Sequence, residues 1–230
     1  MSTQVASPET SPLSREEEQA DVIRRLEEDI IFGRFAPGSR LVEDSLMARY
    51  HASRHFVRQG LFQLERQGIV LREKNIGATV RCYSSEEVRK IYEVREMLTR
   101  QAALMVALPA PASLIEQLTE LQRQYCAKAD AQDLRGIHEA NDAFHVALFS
   151  ACGNPYLVRS LQDYMNLTLP MRAKNLADAE GLALSRRQHE YMIDLLRGRE
   201  SWAFAQLCVD HMQFSKSDYL GRIAGEKSAD

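Results

Sequence analysis

Apolar residues in the first third of the chain recur first at helical spacing and then at strand spacing. Within residues 15–33, isoleucine and leucine return every three or four positions, which is typical of a half-buried helix. The Pro-Gly pair at 37–38 predicts a turn after this helix. Residues 43–50 and 54–67 repeat the helical pattern, and residues 69–83 favour two strands around a glycine-containing turn. Helix, helix, turn, helix and β-hairpin is the order of a winged helix-turn-helix.

The rest of the chain carries only the helical pattern. Ser84 and Glu87 form a capping-box sequence, which predicts the start of a helix that ends near Pro109. Five further helices are predicted at about 112–129, 132–152, 155–179, 182–199 and 201–224. Pro170 predicts a kink in the fourth of the six. This region is therefore predicted to be an all-α antiparallel bundle, and the fold class is mainly α.

The two patterns divide the chain into three parts. Residues 1–20 are polar and predict a mobile N-terminal arm, residues 21–82 predict a winged helix-turn-helix domain, and residues 83–230 predict a helical domain. The formal charge of −3 combines a net positive winged-helix region with a net negative arm and helical region. At 230 residues and 45% hydrophobic composition, the chain is long enough to bury a core. A net positive winged-helix region and a net negative helical region indicate that the two regions have different functions.

Targeting and redox features favour a soluble cytoplasmic protein. No apolar run approaches the ~20 residues that a membrane span needs, so no membrane partner is expected. The first 20 residues lack the apolar stretch of a signal peptide. The four cysteines are scattered and form no CxxC pair, which favours reduced thiols over a disulfide framework.

Two arginines four residues apart mark the third predicted helix as a candidate reader of DNA. Arg54 and Arg58 share one face, because residues four apart are neighbours on a helical surface. Ser53 is the predicted N-cap, which places Arg54 in the first turn, the part of a recognition helix that enters the major groove. Arginine can bind guanine or phosphate through two N–H groups. Arg72 and Lys74 add positive charge to the predicted wing. The alternative is that the two helix arginines are ordinary solvated surface residues.

A longer sequence pattern runs across the winged-helix region. The segment FAPGSRL follows the first helix, ASRHFVRQGLFQLERQGIV covers the third, and Gly77 lies in the wing. In these features residues 22–82 resemble the GntR family of winged-helix transcription regulators, whose usual third-helix wording is S-R-T-P-V-R-E-A-L. This chain keeps Ser53, Arg54, Val57, Arg58 and Leu61 of that motif, and it departs from the motif at His55, Phe56, Gln59 and Gly60.

The resemblance implies a function and a set of DNA contacts. Arg54 and Arg58 correspond to the two arginines that grip DNA in the family, and His55 borders the base-reading surface. Some relatives also have a DNA-contacting arginine near the start of the second helix, where this chain has Asp44, so that contact is expected to be absent. We expect a homodimer that binds an inverted repeat in double-stranded DNA, because a two-fold protein reads a two-fold site.

Three histidines each lie on the apolar stripe of their own predicted helix. His145, His189 and His211 therefore all face the interior, from three different helices. A single inward histidine is usually an ordinary core residue, whereas three in one bundle can meet at a common point. Three imidazoles and an oxygen ligand suit Zn²⁺, Ni²⁺ or a similar ion. Asn141, four residues before His145, can offer its amide oxygen to that point.

The helical region also contains four segments of a known pattern: VREMLTRQAA, NDAFHVALFSACGN, RQHEYMIDLLRGRE and AQLCVDHM. With these segments, residues 85–222 resemble the FCD-type ligand domain of the FadR branch of the GntR family, in its six-helix, VanR-like form. In metal-binding members, an Asp or Asn four residues before a His, together with two later histidines, holds a divalent ion in the effector cavity. The resemblance thus implies that the metal ligands are Asn141, His145, His189 and His211. Asp142 is the alternative oxygen ligand, and Zn²⁺ precedes Ni²⁺ as the expected ion.

Two arginines of the helical domain are candidates for binding an anionic ligand. Arg95 lies on an inward stripe with Ile91 and Leu98, and a buried arginine is costly unless it is paired. A salt bridge inside the domain is the alternative, although Thr99 stands where relatives often have Glu. Arg172 is the second candidate. A metal ion and an arginine together favour a small anionic carboxylate as effector, such as a sugar acid or a dicarboxylate.

The two domains together predict a ligand-responsive, DNA-binding transcription regulator that has no catalytic residues. In its most direct form it is a repressor released by a small carboxylate with the help of a metal ion. One alternative is a metal-dependent enzyme that uses the three-histidine site. Such a site needs an acid or base beside an open metal position, and only Glu190 and Asp142 lie nearby in sequence. The other alternative is an architectural DNA-binding dimer without an effector.

Overall fold

The computed structural model describes residues 14–73, 77–176 and 178–226, and its first part is the predicted winged helix-turn-helix. Three helices form the body of this domain: α1 (Arg15–Ile31), α2 (Glu43–Tyr50) and α3 (Arg54–Arg66). Three short strands form the wing sheet: β1 (Arg40–Leu41), β2 (Val70–Glu73) and β3 (Gly77–Val80). The predicted hairpin thus gains β1 as a third strand, and β3 lies in the middle, antiparallel to both neighbours.

Side-chain caps set where the helices of the winged domain begin. Ser14 caps α1 in a capping box. Residues 15–20 are therefore helical, as the periodicity of residues 15–33 predicts, so α1 begins within the segment predicted to be an arm. Residues 1–13 of that arm lie outside the described residues. Ser53 caps α3 as predicted, by accepting a hydrogen bond from a backbone N–H in the first turn. Arg54 is consequently the first residue of α3.

The second domain is an all-α bundle. Its helices are α4 (Ser85–Leu104), α5 (Ala112–Asp130), α6 (Leu134–Ser150), α7 (Pro155–Leu167), α8 (Leu169–Leu176), α9 (Ala179–Leu196) and α10 (Ser201–Glu226). The described residues thus form seven helices here instead of the predicted six. The difference arises within 155–179, where two helices meet at Thr168 in place of one kinked helix. Pro170 explains the break, because it has no N–H with which to continue the hydrogen-bond pattern of α7.

Each domain has its own apolar core. The winged domain completely buries Leu26 of α1 and Leu64 of α3. The main cluster of the helical domain does the same with Phe144, Leu148 and Phe204. Burying one such side chain stabilises the fold by about 1.5–3 kcal/mol. Among the residues that the structure describes, none of the helices combines the length and the apolar character needed to span a bilayer.

The two domains share a packed junction. Leu169 of α8 is 4% exposed and belongs to the apolar core of the winged domain. Tyr83 donates a hydrogen bond from Oη to the backbone oxygen of Gly68 at 2.7 Å. On the other side, Nε of Arg135 on α6 lies 3.4 Å from Oε1 of Glu28 on α1. These contacts join the winged domain to the bundle through α6 and α8.

Gly68 tests how tightly this junction is packed. Its φ is +76°, and a Cβ at this position would overlap Cδ2 of Leu167. Gly38 has a similar φ of +80°, but nothing lies within 4 Å of the place its Cβ would take. Gly38→Ala should therefore cost only the left-handed backbone penalty, about 1 kcal/mol. Gly68→Ala should cost up to about 1–3 kcal/mol more, because the added methyl forces the end of the Leu167 side chain to move within the junction. Urea unfolding measures both losses, and equal losses would contradict a packed junction.

Candidate functional site

Both arginines of the predicted recognition helix lie on the surface, and each contacts an acidic residue of α2. Arg54 donates from Nη2 to Oδ1 of Asp44 at 2.6 Å. Arg58 donates from Nε to Oε1 of Glu43 at 2.9 Å. The two arginine side chains are 52% and 58% exposed. Each acid contacts only one nitrogen of its arginine, so both arginines still have N–H groups available to DNA.

The other predicted DNA contacts lie on the same helix and on the wing. Ser53 and His55 are exposed at the start of α3. Arg72 is exposed on β2, and Gly77 begins β3 with a φ of +99°. Lys74 lies outside the described residues. The predicted DNA-contacting residues that the structure describes thus lie in two places, at the start of the recognition helix and on the wing strands.

Three helices bring the three predicted histidines to one point inside the bundle. Nε2 of His145 on α6 lies 3.1 Å from Nε2 of His211 on α10. It lies 3.4 Å from Nε2 of His189 on α9. The three ring nitrogens are all within 4.8 Å of one another, with two of the rings buried and His211 partly buried. This is the arrangement that a bound metal ion requires of its ligand atoms.

Two glutamines determine the protonation of two of these rings. Oε1 of Gln122 lies 2.9 Å from Nδ1 of His189. Gln122 also donates from Nε2 to the backbone oxygen of Arg186 at 3.1 Å, so its oxygen is the atom that faces the ring. Oε1 of Gln188 lies 2.8 Å from Nδ1 of His211. Because a carbonyl oxygen can only accept, Nδ1 of both rings carries the proton and Nε2 carries a lone pair.

At the point where the three Nε2 atoms meet, His189 and His211 each present a lone pair, and only His145 can supply a proton. His145 can donate an Nε2 proton to only one of its two neighbours, and its own Nδ1 has no partner in the described chain. Burial lowers the pKa of His145 and His189 well below the usual 6.5, and the positive charge that the other rings would carry lowers it further. Burial, followed by the nearby arginines, lowers the pKa of His211 to about 3. Neutral imidazoles with free Nε2 atoms are the form that binds a metal ion.

Of the two possible oxygen ligands, Asn141 fits the site. Its side chain is 4% exposed and lines the same cavity as His145 and His211. Asp142 is instead paired with Arg172, which donates from Nη1 to Oδ1 at 2.8 Å. No carboxylate of the described residues joins the histidine cluster. The geometry thus favours the amide oxygen over the neighbouring carboxylate.

Both predicted effector arginines line the cavity beside the histidines. Arg95 is 6% exposed and donates from Nη1 to Oγ1 of Thr168 at 2.8 Å. The Nε atoms of Arg95 and Arg172 are buried without a hydrogen-bond partner in the part of the chain that is described. Burial lowers the pKa of Arg95 to about 10, which leaves the side chain charged at neutral pH. A cavity of about 30 Å³ between two buried cations is suited to a small anionic group.

Both regions of the chain match known families. Residues 18–80 match the bacterial regulatory proteins of the gntR family, and residues 90–214, more than half of the chain, match the FCD domain. The chain belongs to the GntR family of transcription regulators, in its FCD-containing group. Proteins of these families regulate transcription, so the metal-dependent enzyme considered from the sequence is excluded.

Individual relatives agree with this assignment. The chain is 24% identical over 203 residues to the HTH-type transcriptional repressor GlaR of Escherichia coli K12, with 84% of this chain and 91% of GlaR aligned. It is 23% identical over 207 residues to the repressor RspR of the same strain, with 90% of each chain covered. The solved structure titled E. coli McbR/YncC superposes with a TM-score of 0.70 at 17% identity, covering 90% of this chain and 98% of that one. That structural likeness supports the fold.

Some residues of the site in this GntR regulator are not predicted by its sequence pattern. Gln122 gives one usable signal, because it is a polar residue on the apolar stripe of α5, with Leu118 and Tyr125. Gln188 gives no such signal in the sequence, because it lies outside the apolar stripe of α9 and contacts a histidine of a different helix. The partners of the recognition arginines were missed for a similar reason, because Glu43 and Asp44 belong to a different helix.

A charged network connects the ligand cavity with the winged domain. Asp142 is paired with Arg172, and its Oδ2 lies 3.5 Å from Nε2 of His138. Glu27 of α1 and Asp142 line a second cavity, of about 330 Å³, between α1 and α6. Burial, followed by the charges of Asp142 and Glu28, raises the pKa of Glu27 to about 7. Glu27 and Asp142 therefore oppose each other's ionisation across the domain junction.

The raised pKa of Glu27 predicts how stability depends on pH. The carboxyl loses its proton near pH 4.5 when unperturbed, but keeps it up to about pH 7 in the folded chain. The folded state therefore binds more protons between these values, and the stabilisation that results is lost as the pH rises through 7. Glu27→Gln should raise the free energy of unfolding by about 1–3 kcal/mol at pH 8 and change it little at pH 4.5.

Urea unfolding at the two pH values checks this expectation. Glu18→Gln is the matched control, because it removes the same charge from an exposed position of α1. A gain of equal size at pH 4.5 and pH 8, or an equal gain in the control, would contradict the proposed electrostatic strain at Glu27.

Proposed function

We propose that this GntR regulator is a repressor that leaves its operator when a small carboxylate binds beside a metal ion. GlaR and RspR, which align with the chain over most of their length, are both named repressors. The matched families supply the DNA-binding domain and the ligand domain that this function requires. As a homodimer, the protein would place two copies of α3 on the half-sites of an inverted repeat in double-stranded DNA.

One observation supports the metal proposal: the Nε2 atoms of three histidines lie close together. Only His145 can carry a proton there, and that proton can form a hydrogen bond with only one of the other two nitrogens. His145, His189 and His211 would each bind the ion through Nε2, and Asn141 would bind it through its amide oxygen. Three imidazole nitrogens and one oxygen suit Zn²⁺ first and Ni²⁺ second. A neutral amide in place of a carboxylate leaves the full double charge of the ion in the cavity.

The glutamines support the same proposal. A histidine that binds a metal through Nε2 usually donates its Nδ1 proton to an acceptor, which fixes the orientation of the ring. Gln122 and Gln188 are such acceptors for two of the three rings, at 2.9 and 2.8 Å. Phe144 stacks on the ring of His189 with centroids 4.1 Å apart and restrains it further. The rings are thus held in place before an ion binds.

The effector follows from the charge around the ion. Arg95 and Arg172 are both 6% exposed, and the Nε–H of each lacks a partner among the described residues. Buried cations next to a divalent ion require a compensating anion. A carboxylate supplies that charge and has oxygen atoms for both the metal and a guanidinium. The cavity of about 30 Å³ admits little more than the carboxylate group itself, so a dicarboxylate or a sugar acid would bind only if the side chains that line the cavity move.

Arg172 connects effector binding with the winged domain. Asp142 occupies Nη1 of this guanidinium at 2.8 Å, so a carboxylate bound at the free Nε–H would share the positive charge of Arg172 with Asp142 and weaken their ion pair. Above about pH 7, where Glu27 is ionised, the less compensated charge of Asp142 would repel Glu27 across the α1–α6 cavity and would favour another placement of α1. A ligand can change DNA affinity only if it binds two such arrangements differently.

Substitution of a histidine tests the metal site. His189→Ala should abolish the rise in melting temperature that zinc produces in chelator-treated wild-type protein, because bound ion stabilises only the folded state. His138→Ala is the control, since His138 lies on the same helix as His145 but outside the cluster. Differential scanning fluorimetry with and without zinc provides the measurement. An undiminished zinc shift in His189→Ala would contradict the site.

Substitution of Arg95 tests the effector site. A thermal-shift screen of organic acids with zinc present first identifies a stabilising acid. Arg95→Met should still bind DNA and zinc, but the acid should release it from DNA only at a concentration at least about tenfold higher, since a hydrogen bond to a charged group is lost. Arg100→Met, on the same helix, should respond like wild type. Fluorescence anisotropy on labelled DNA records release, and a normal response of Arg95→Met would contradict its role.

A further inference from the structure

The first turn of α2 carries two adjacent acids that hold the recognition arginines in different ways. Glu43 accepts from Nε of Arg58 with both carboxylate oxygens, at 2.9 and 3.0 Å. Asp44 accepts from Nη2 of Arg54 with a single oxygen, at 2.6 Å. The difference lies in which nitrogen of the guanidinium each acid occupies.

Arg58 keeps its two terminal nitrogens free. An arginine reads guanine through two N–H groups that donate in parallel to O6 and N7. Glu43 occupies only Nε, and the structure gives Arg58 no other partner within the described ranges. Nη1 and Nη2 therefore remain available together. Arg54 differs, because one of its terminal nitrogens is already bound to Asp44.

The environment of Glu43 favours persistence of its contact when DNA binds. Its side chain is 27% exposed, against 76% for Asp44. Glu43 is the first residue of α2, where the helix dipole stabilises a negative charge. It also lines the groove of about 380 Å³ beside the wing, together with Leu61 and Gly77. Glu43 is thus partly buried beside α3, whereas Asp44 is largely solvated.

We propose that Glu43 is a positioning residue for sequence recognition, which anchors Arg58 through Nε so that Nη1 and Nη2 meet a base edge as a preformed pair. The inference rests on the proposed role of Arg58 as a reader on α3. An anchored side chain has lost its rotamer freedom before binding, so less affinity is lost on contact with the correct base. A free side chain can also turn toward a phosphate beside a wrong base, and the anchor prevents this. Asp44 has no such role, because Arg54 must leave it to use Nη2.

Two substitutions that remove the same charge separate positioning from electrostatics. Glu43→Gln and Asp44→Asn each delete one negative charge near the DNA phosphates, so each should raise affinity for any duplex. Only Glu43→Gln weakens the anchor of Arg58. The affinity of Glu43→Gln should therefore rise less on the preferred sequence than on other DNA. The specificity ratio, which is the affinity for the preferred sequence divided by the affinity for other DNA, should fall.

The experiment selects a preferred duplex from a randomised library with the full-length wild-type protein. Kd is then measured for this duplex and for a shuffled duplex of the same composition, at one salt concentration. Glu43→Gln should lower the ratio at least about 5-fold, which is the discrimination of one bidentate base contact. Asp44→Asn should keep the ratio within about 2-fold, because phosphate contacts carry no sequence information. Arg58→Ala should lower the ratio at least as far as Glu43→Gln, and adding Glu43→Gln to it should lower it no further.

Three outcomes would overturn the inference. If Arg58→Ala lowers the ratio but Glu43→Gln does not, Glu43 has no positioning role while the reading role of Arg58 stands. If Arg58→Ala leaves the ratio unchanged, the reading role fails and this inference fails with it. If Asp44→Asn lowers the ratio as far as Glu43→Gln, the effect comes from charge alone.

Glu43→Asp keeps the proposal testable if Glu43→Gln unfolds. The shorter side chain retains the charge but is one methylene too short for the contact with Nε of Arg58. The ratio should then fall while affinity for the shuffled duplex stays the same. An unchanged ratio in a folded Glu43→Asp variant would also overturn the positioning role.

Discussion

The meeting of three neutral imidazole nitrogens in the interior of the FCD domain is the constraint on which the ligand site depends. Two glutamines fix Nδ1 as the protonated atom in His189 and His211, so both Nε2 atoms present lone pairs to His145. One proton cannot satisfy this centre, and burial prevents the rings from acquiring positive charge instead. A divalent cation would satisfy all three nitrogens at once. Under this proposal the ion would add positive charge beside the two buried arginines, and the three cations together would attract an anion.

Helix α8 joins that centre to the DNA-binding domain. Leu169 packs in the apolar core of the winged domain, and Arg172, three residues later, lines the ligand cavity. Thr168, immediately before α8, accepts the hydrogen bond from Arg95 at 2.8 Å. A change in how either arginine is occupied therefore acts at the base of an element that the winged domain contacts directly. The carboxyl groups of Asp142 and Glu27 line one cavity at the same junction, and in the proposed mechanism their repulsion would add to this effect.

Local signals explain how much of the fold could be predicted from the sequence. Ser53 and Ser84 are N-caps as expected, because capping depends on residues within one turn. The same periodicity identified the three histidines, since an inward position on each helix is a property of that helix alone. The sequence predicted one kinked helix where the structure has two helices that meet at Thr168. The difference could not be predicted, because the extent of a break at a proline depends on how the flanking helices pack. The same packing places Asn141 in the lining of the histidine cavity and pairs Asp142 with Arg172, which the periodicity of α6 alone could not predict.

Contacts between helices could not be predicted in the same way. The pairing of Arg58 with Glu43 and of Arg172 with Asp142 depends on the rotation and crossing of helices that are far apart in sequence. The oxygen of Gln188 reaches His211, although the adjacent His189 occupies the inward position of its helix. Such contacts decide which nitrogen of an arginine or histidine remains free. They therefore determine the chemistry of the site even where its residues are predicted correctly.

Metal content tests the central claim most directly. Full-length protein purified without chelator, incubated with zinc and desalted, can be measured by elemental analysis against its own concentration. Three imidazole ligands and one amide oxygen predict about one divalent ion per chain. Less than about a tenth of an ion per chain, with zinc and with nickel alike, would contradict the site and return the three histidines to the role of ordinary core residues.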